Sequence, residues 1–184
     1  GKKAQNIRAM GDILNRFSFA VYDTGVALLT AIALVPAEWI RIALGRSKIE
    51  WLRERLGESP KKPRDTQRSL LVHAVSVGEV QAILPLVRQL MQQSPGLPVT
   101  ITTTTPTGSA RVIEQLEGQV FHVYLPYDLP MALTGFIRRV RPRVLLMVET
   151  EIWPNLLHLC RRHGIYTLLA NARLSAKSAG RYAR

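Results

Sequence analysis

The sequence predicts an α/β protein built on a five-stranded parallel sheet, with a separate apolar helix ahead of it. Three observations carry that prediction. Five short runs rich in Val, Ile, Leu and Thr alternate with segments whose apolar residues recur at helical spacing. Gly, Pro, Ser and Asp punctuate the junctions between them. An uncharged stretch, residues 24–37, precedes the series with basic residues on both sides.

Residues 24–37 number 14, between Asp23 and Glu38, which is short of the ~20 apolar residues that span a bilayer. Pro36 bends the stretch near its end. Lys2, Lys3, Arg8 and Arg16 precede it, and Arg41, Arg46, Lys48, Arg53 and Arg55 follow it. Trp39 and Trp51 suit head-group depth. The pattern predicts a membrane-association helix, inserted at an angle or lying in the interface. A secretory signal peptide with a poor cleavage site and a buried core helix are the competing readings. Residues 59–68, SPKKPRDTQR, read as a polar linker. The predicted organisation is a helix and basic segment over 1–58, the linker over 59–68, and the sheet domain over 69–184.

The first strand is the apolar run 70–75. Ser76, Val77, Gly78 and Glu79 turn it into a helix whose face is Val80, Ile83, Leu84, Val87, Leu90 and Met91. Residues 99–104 alternate Val and Ile with Thr, predicting a strand with one less apolar face. Thr105 to Ser109 open a second helix with Ala110, Ile113 and Leu116 inward, ended by Gly118. Strand 120–125 follows, then Asp128 as the cap of a third helix with Leu133, Phe136, Ile137 and Val140 on its inner face. Pro142 breaks that helix. Strand 143–148 exits through Glu149, Thr150 and Glu151 into a helix opened by Pro154 and closed by Gly164, and strand 166–170 exits through Asn171 to Ser175.

The doubly wound order places strands one and four side by side, so their exit turns flank the switch-point crevice where such sheets bind ligands. Glu79 leaves one strand; Glu149 and Glu151 leave the other. Glu79 has two readings: the distal half of a capping box with Ser76, or a catalytic base. Glu149 and Glu151 are first-turn acids favoured by the helix dipole, or site carboxylates. Thr105 to Ser109 is a phosphate cradle at a helix start, or ordinary capping. Arg173 reaches an anion in the crevice, or lies on the surface. His73 reads as a core residue inside its strand.

The chain has 184 residues, one cysteine and a formal net charge of +12. One cysteine excludes an intrachain disulfide, and no cluster has zinc-ligand spacing, which predicts a reducing compartment and no metal. Residues 1–69 hold 13 Lys and Arg against 7 Asp and Glu, so the basicity is spread along the chain and is not a tail. Such a surface suits phospholipid head groups, phosphorylated substrates or nucleic acid. Nucleic acid has only the charge in its favour, since no stacking-aromatic pattern accompanies it. No G-x-G-x-x-G or P-loop motif points to a dinucleotide or ATP.

HAVSVGE (73–79), TTTTPTGS (102–109), YLPYDLP (124–130), ETEIWPN (149–155) and ANARLS (170–175), in this order and spacing, resemble the bacterial 3-deoxy-D-manno-octulosonic acid (Kdo) transferases. The resemblance covers residues 39–184, and WIRIALGRSKIEWLRERLGE is similar to that family's basic stretch after its anchor. It implies the N-terminal, Rossmann-like half of a GT-B glycosyltransferase, which binds the lipid acceptor. It implies an inverting transfer of Kdo from CMP-Kdo to the phosphorylated lipid A precursor (lipid IVA), at the cytoplasmic face of the bacterial inner membrane, with no cofactor beyond the donor substrate and an anionic membrane surface as partner. Glu79 matches the family's proton acceptor and Glu149 a residue that stabilises the transition state. Ser76, Gly78, Thr107, Gly108, Ser109, Glu151, Asn171 and Arg173 are the expected substrate-binding residues. The family's donor domain and a second stabilising lysine are expected beyond Arg184, leaving this piece inactive alone. The rival expectation is a non-catalytic membrane-bound module for anionic lipid, or a truncated remnant.

Overall fold

The computed structural model describes residues 18–45, 47–58, 69–116, 118–148 and 153–170. The apolar stretch forms helix α1, Ser18–Ala43, whose 26 residues exceed the uncharged run because Asp23, Glu38 and Arg41 are included in it. At 1.5 Å per residue it is about 39 Å long, and by length and composition it is long and apolar enough to cross a membrane. Over Thr30–Leu34 it widens into a π-turn, with Val35 N–H donating to the Thr30 carbonyl. Pro36 has no N–H to offer and follows at once, so the helix changes register there instead of breaking. Val21, Leu28, Leu29, Ile32, Trp39 and Ile40 are all exposed along it.

The chain divides into two units, Gly1–Leu52 and Arg53–Arg184. Helix α2, Ile49–Arg55, begins in the first and ends in the second. The second unit holds β1 (Ser69–His73), α3 (Val77–Gln93), β2 (Val99–Thr103), α4 (Pro106–Leu116), β3 (Phe121–Tyr124), α5 (Pro130–Val140), β4 (Pro142–Val148), α6 (Pro154–Arg162) and β5 (Tyr166–Ala170). The sheet is parallel throughout in the order β3-β2-β1-β4-β5. Strands one and four are neighbours, as the sequence predicts, with Val72 opposite Leu146 and His73 opposite Met147.

A parallel sheet is covered on both faces, so its inner strands read as apolar runs. Successive side chains of β1 divide between two cores. Leu71 joins Leu145, Met147, Leu133, Phe136 and Leu156 under α5 and α6. Val72 joins Val80, Ile83, Val87, Ile101 and Val112 under α3 and α4. Strand β2 departs from expectation: all five of its residues are buried, including three threonines. The hydroxyls are satisfied internally, Thr102 by His73 Nδ1 and Thr103 by His122 Nε2. Helix α4 is also phased differently. It buries Gly108, Ser109, Val112 and Leu116, while Ala110 and Ile113 are exposed. Its small first turn lets it approach the β1–α3 turn closely: a Cβ on Gly108 would lie 3.3 Å from the Val75 carbonyl.

At the far edge, β5 exposes Tyr166, Leu168 and Leu169. Cys160 is buried in α6, and burial pushes its thiol up to about 11 against the opposing hydrogen bond from Thr167.

Candidate functional site

The β1–α3 turn is set by a reciprocal cap. Ser76 is extended and its hydroxyl accepts the Glu79 N–H at 3.4 Å. The Glu79 carboxylate reaches back, Oε2 accepting from Val75 N at 2.7 Å and Oε1 from the Ser76 hydroxyl at 2.9 Å. The capping box anticipated from Ser76 and Glu79 is therefore formed, and both carboxylate oxygens have donors.

The β2–α4 turn folds onto this one. Thr104 N and the hydroxyls of Thr104 and Thr105 all donate to the Val75 carbonyl, at 3.4, 3.5 and 3.2 Å. Thr105 Oγ1 in turn accepts from Gly108 N at 3.1 Å and from the Thr107 hydroxyl at 3.4 Å. The N–H groups expected to cradle a phosphate thus include one, that of Gly108, already occupied by a neighbouring side chain. Ser109 is buried and hydrogen-bonds the Tyr124 hydroxyl, whose ionisation burial pushes above its ordinary range.

Outside these turns, the first turns of α3 and α4 enclose a groove of about 520 Å³ lined by Val77, Gly78, Gln81, Thr107, Ala110, Arg111 and Glu114. Two expected substrate-binding residues, Gly78 and Thr107, come together there. Arg111 donates to Gln81 Oε1 through Nε and Nη2, at 2.8 and 2.6 Å, and pairs with Glu114 at 2.8 Å. Gln81 and Arg111 were not anticipated; their helical spacing from Gly78 and Thr107 was the available signal.

Glu149, Glu151, Asn171 and Arg173 lie outside the described residues. Helix α6 begins at Pro154 after an extended Trp153, whose own side chain makes no capping bond. Asp128 supplies one from the β3–α5 connection: Oδ2 accepts from Asn155 N at 2.9 Å and Oδ1 from Leu156 N at 3.0 Å. Asn155 Nδ2 returns a bond to the Asp128 carbonyl at 2.7 Å. This corrects the sequence expectation that Asp128 caps α5, whose N-cap is Leu129 with no side-chain bond. A carboxylate caps whichever helix start its backbone presents it to, and the adjacent helix wins here.

Residues from α2 close the same end of the sheet. Glu54 Oε2 accepts from Tyr124 N at 2.8 Å, and the Arg55 carbonyl accepts from Tyr127 N at 2.7 Å. The buried Arg55 guanidinium donates to the Leu125 carbonyl and lies 4.2 Å from the Tyr127 ring centroid and 5.9 Å from that of Trp153. Such cation–π contacts strengthen when desolvated. His73 meets Trp153 edge-on at 5.5 Å. Burial, then the Arg55 charge, hold its imidazolium down to about 3, so it is neutral at physiological pH. The core role expected for His73 holds, with Nδ1 on Thr102 and a buried Nε2 without a hydrogen bond. No group of three or more His, Cys, Asp or Glu arranged for a metal ion occurs among the described residues.

This parallel sheet, with Glu79 in the first turn at its switch point, is an α/β domain consistent with the N-terminal half of a GT-B glycosyltransferase. The sequence model of the 3-deoxy-D-manno-octulosonic-acid transferase (kdotransferase) family matches residues 50–184. The chain belongs to that family. It is 51% identical over 117 residues to the 3-deoxy-D-manno-octulosonic acid transferase of Haemophilus influenzae, covering 64% of this chain and 27% of the relative. With the transferase of the same description from Bordetella pertussis it shares 46% over 113 residues, 58% of this chain and 26% of the relative. A Chlamydia pneumoniae relative is 28% identical over 177 residues, covering 92% of this chain and 39% of the relative. The chain thus spans about a quarter of the length of the first two curated relatives.

Proposed function

We propose that this chain is the acceptor-binding half of an inverting glycosyltransferase that transfers Kdo from CMP-Kdo to the lipid A precursor, lipid IVA, in lipopolysaccharide synthesis. The observation that carries the reading is the family match across residues 50–184, joined to Glu79 standing at the first turn of the switch point. The donor domain belongs to the remaining length of the full protein. Helix α1 and its basic flanks associate with the cytoplasmic face of the inner membrane and hold the chain where its lipid acceptor resides.

In the transfer, Glu79 takes the proton from an acceptor sugar hydroxyl. That oxygen bonds to the anomeric carbon of Kdo, and the bond from that carbon to the CMP phosphate oxygen breaks, its electron pair leaving with CMP. Positive charge gathers on the Kdo ring as the bond breaks, and a carboxylate at Glu149 stabilises it. The groove lined by Gly78 and Thr107 takes the acceptor, with Glu79 following Gly78 in the same first helical turn. Ser76, Gly108 and Ser109 shape the turns behind it, and Glu151, Asn171 and Arg173 contribute from the exits of the fourth and fifth strands. To act, Glu79 gives up its bond to the Ser76 hydroxyl while its bond to Val75 N keeps the side chain in place.

One observation favours the rival reading of a non-catalytic lipid-binding module: both Glu79 oxygens are engaged in the cap. Glu79→Gln separates the two, because Gln still accepts from Val75 N but takes no proton. In the full-length protein assayed with CMP-Kdo and lipid IVA, this variant is expected to lose transfer by ~10²–10⁴-fold with a melting temperature lowered by no more than about 2–3 °C. Wild-type turnover would overturn the base assignment. No transfer by the unmutated full-length protein would favour the module.

A further inference from the structure

We propose that Thr105 is a positioning residue for Glu79, an inference that rests on the reading of Glu79 as the base. Thr105 does not line the groove itself, although its oxygen also accepts from the hydroxyl of Thr107, which does. Its single hydroxyl hydrogen goes to the Val75 carbonyl at 3.2 Å, and its oxygen accepts the Gly108 N–H at 3.1 Å. One atom thereby joins the start of α4 to the residue that holds the base.

Val75 is gripped at both ends. Its N–H is spent on Glu79 Oε2, and its C=O is spent on the two threonines. With both ends committed, the backbone of Val75 cannot rotate without breaking a bond on one side. The Val75 N–H therefore points in one direction, and Glu79 Oε2 is fixed by it. Gly108 belongs to the same joint: a Cβ there would lie 3.0 Å from Thr105 Oγ1, 3.3 Å from the Val75 carbonyl and 3.5 Å from the Ser76 carbonyl carbon. A side chain at that position would push the two turns apart by a few tenths of an ångström, so their close approach favours glycine. A base must be held within hydrogen-bond reach of the proton it abstracts, and small misplacements cost rate out of proportion to their size. Loosening the joint is thus expected to act mainly on the chemical step and to change acceptor binding little, since Thr105 is not among the residues that line the groove.

The test uses the full-length enzyme with CMP-Kdo and lipid IVA. Thr105→Val keeps the shape and removes the hydroxyl; Thr105→Ser keeps the hydroxyl. Thr105→Val is expected to lower kcat ~10-fold with the acceptor KM within about twofold, and Thr105→Ser to restore the rate. Because Thr105 acts through Glu79, adding Thr105→Val to Glu79→Gln is expected to cost no further rate, the non-additivity of groups in one network. Should Thr105→Val fold poorly, Gly108→Ala strains the same joint with the hydroxyl retained and is expected to show the same kcat loss. Wild-type kcat in both single variants, or losses that multiply with Glu79→Gln, would overturn the proposal. Full activity of Glu79→Gln alone would instead overturn the base reading on which it rests.

Discussion

The Asp128 carboxylate caps a helix to which it does not belong, with Oδ2 2.9 Å from Asn155 N and Oδ1 3.0 Å from Leu156 N. Two stretches of the chain thereby meet at one buried carboxylate: the β3–α5 connection and the start of α6. Removing it leaves two buried N–H groups without acceptors. Asp128→Ala is expected to destabilise the domain by about 2–4 kcal/mol, in line with the loss of charge-assisted bonds and a cap. Asp128→Asn retains one acceptor and is expected to cost about half as much. Chemical denaturation of both variants checks the ratio; equal costs would show that the second N–H finds another partner.

The Glu79 cap makes its own stability prediction, independent of catalysis. Glu79→Ala deletes the bonds to Val75 N and Ser76 Oγ and is expected to cost about 1 kcal/mol. Glu79→Gln preserves an acceptor for Val75 N and is expected to cost less than half of that. Thermal unfolding of the pair, read beside their turnover, separates the cap from the base at one residue.

His73 predicts a pH dependence with a definite sign. It is neutral in the folded protein down to about pH 3, whereas an unfolded histidine takes up its proton near pH 6.5. Between those values the unfolded state binds more protons, so stability rises with pH there. The stabilisation is fully present above pH 6.5 and is lost as pH falls toward 3, by up to ~1.4 kcal/mol per pH unit from this residue. His73→Asn keeps a donor for Thr102 and removes the titration. Denaturation at a series of acidic pH values is expected to show a shallower slope for that variant; an identical slope would assign the dependence elsewhere.

Gly57 sits just past α2 with φ +87°, and a Cβ there would lie 2.8 Å from the Ala132 backbone. Both conditions forbid a side chain. Gly57→Ala is expected to destabilise by more than ~2 kcal/mol and to free the Arg139 side chain, which donates to the Gly57 carbonyl at 3.2 Å. Loss of stability with Arg139→Ala alone isolates the second part.

The sheet was legible because its signals are local and strong: apolar runs such as 143–148, helical periodicity in α3 and α5, and turn glycines. The strand order followed from the general winding rule. What escaped were the choices made between elements. Asp128 precedes α5 in sequence but caps α6, a decision that only tertiary proximity makes. The alternation of Val and Ile with Thr over 99–104 looked like one less apolar face, yet Thr102 and Thr103 sit in the core with cross-strand partners in His73 and His122. The phase of α4 was misread because Gly108 and Ser109 carry no hydrophobic signal, although they form its closest contact. Arg55 looked like one more basic residue after the apolar stretch, and nothing in its neighbours announced that it would stack beneath Tyr127 and Trp153. Of the site itself, the Ser76–Glu79 pairing was readable from spacing, while the Thr105–Val75 joint spans 30 residues and was not.

The chain's single cysteine is enclosed in α6, and with its thiol raised to about 11 only ~1 in 10,000 molecules carries the reactive thiolate at pH 7. Within this chain the native thiol is therefore a poor target for maleimide reagents. A cysteine placed at the exposed Val77, on the rim of the groove, would be far more reactive than Cys160, and an attached fluorophore would report a ligand arriving there without any need to remove that buried sulfur.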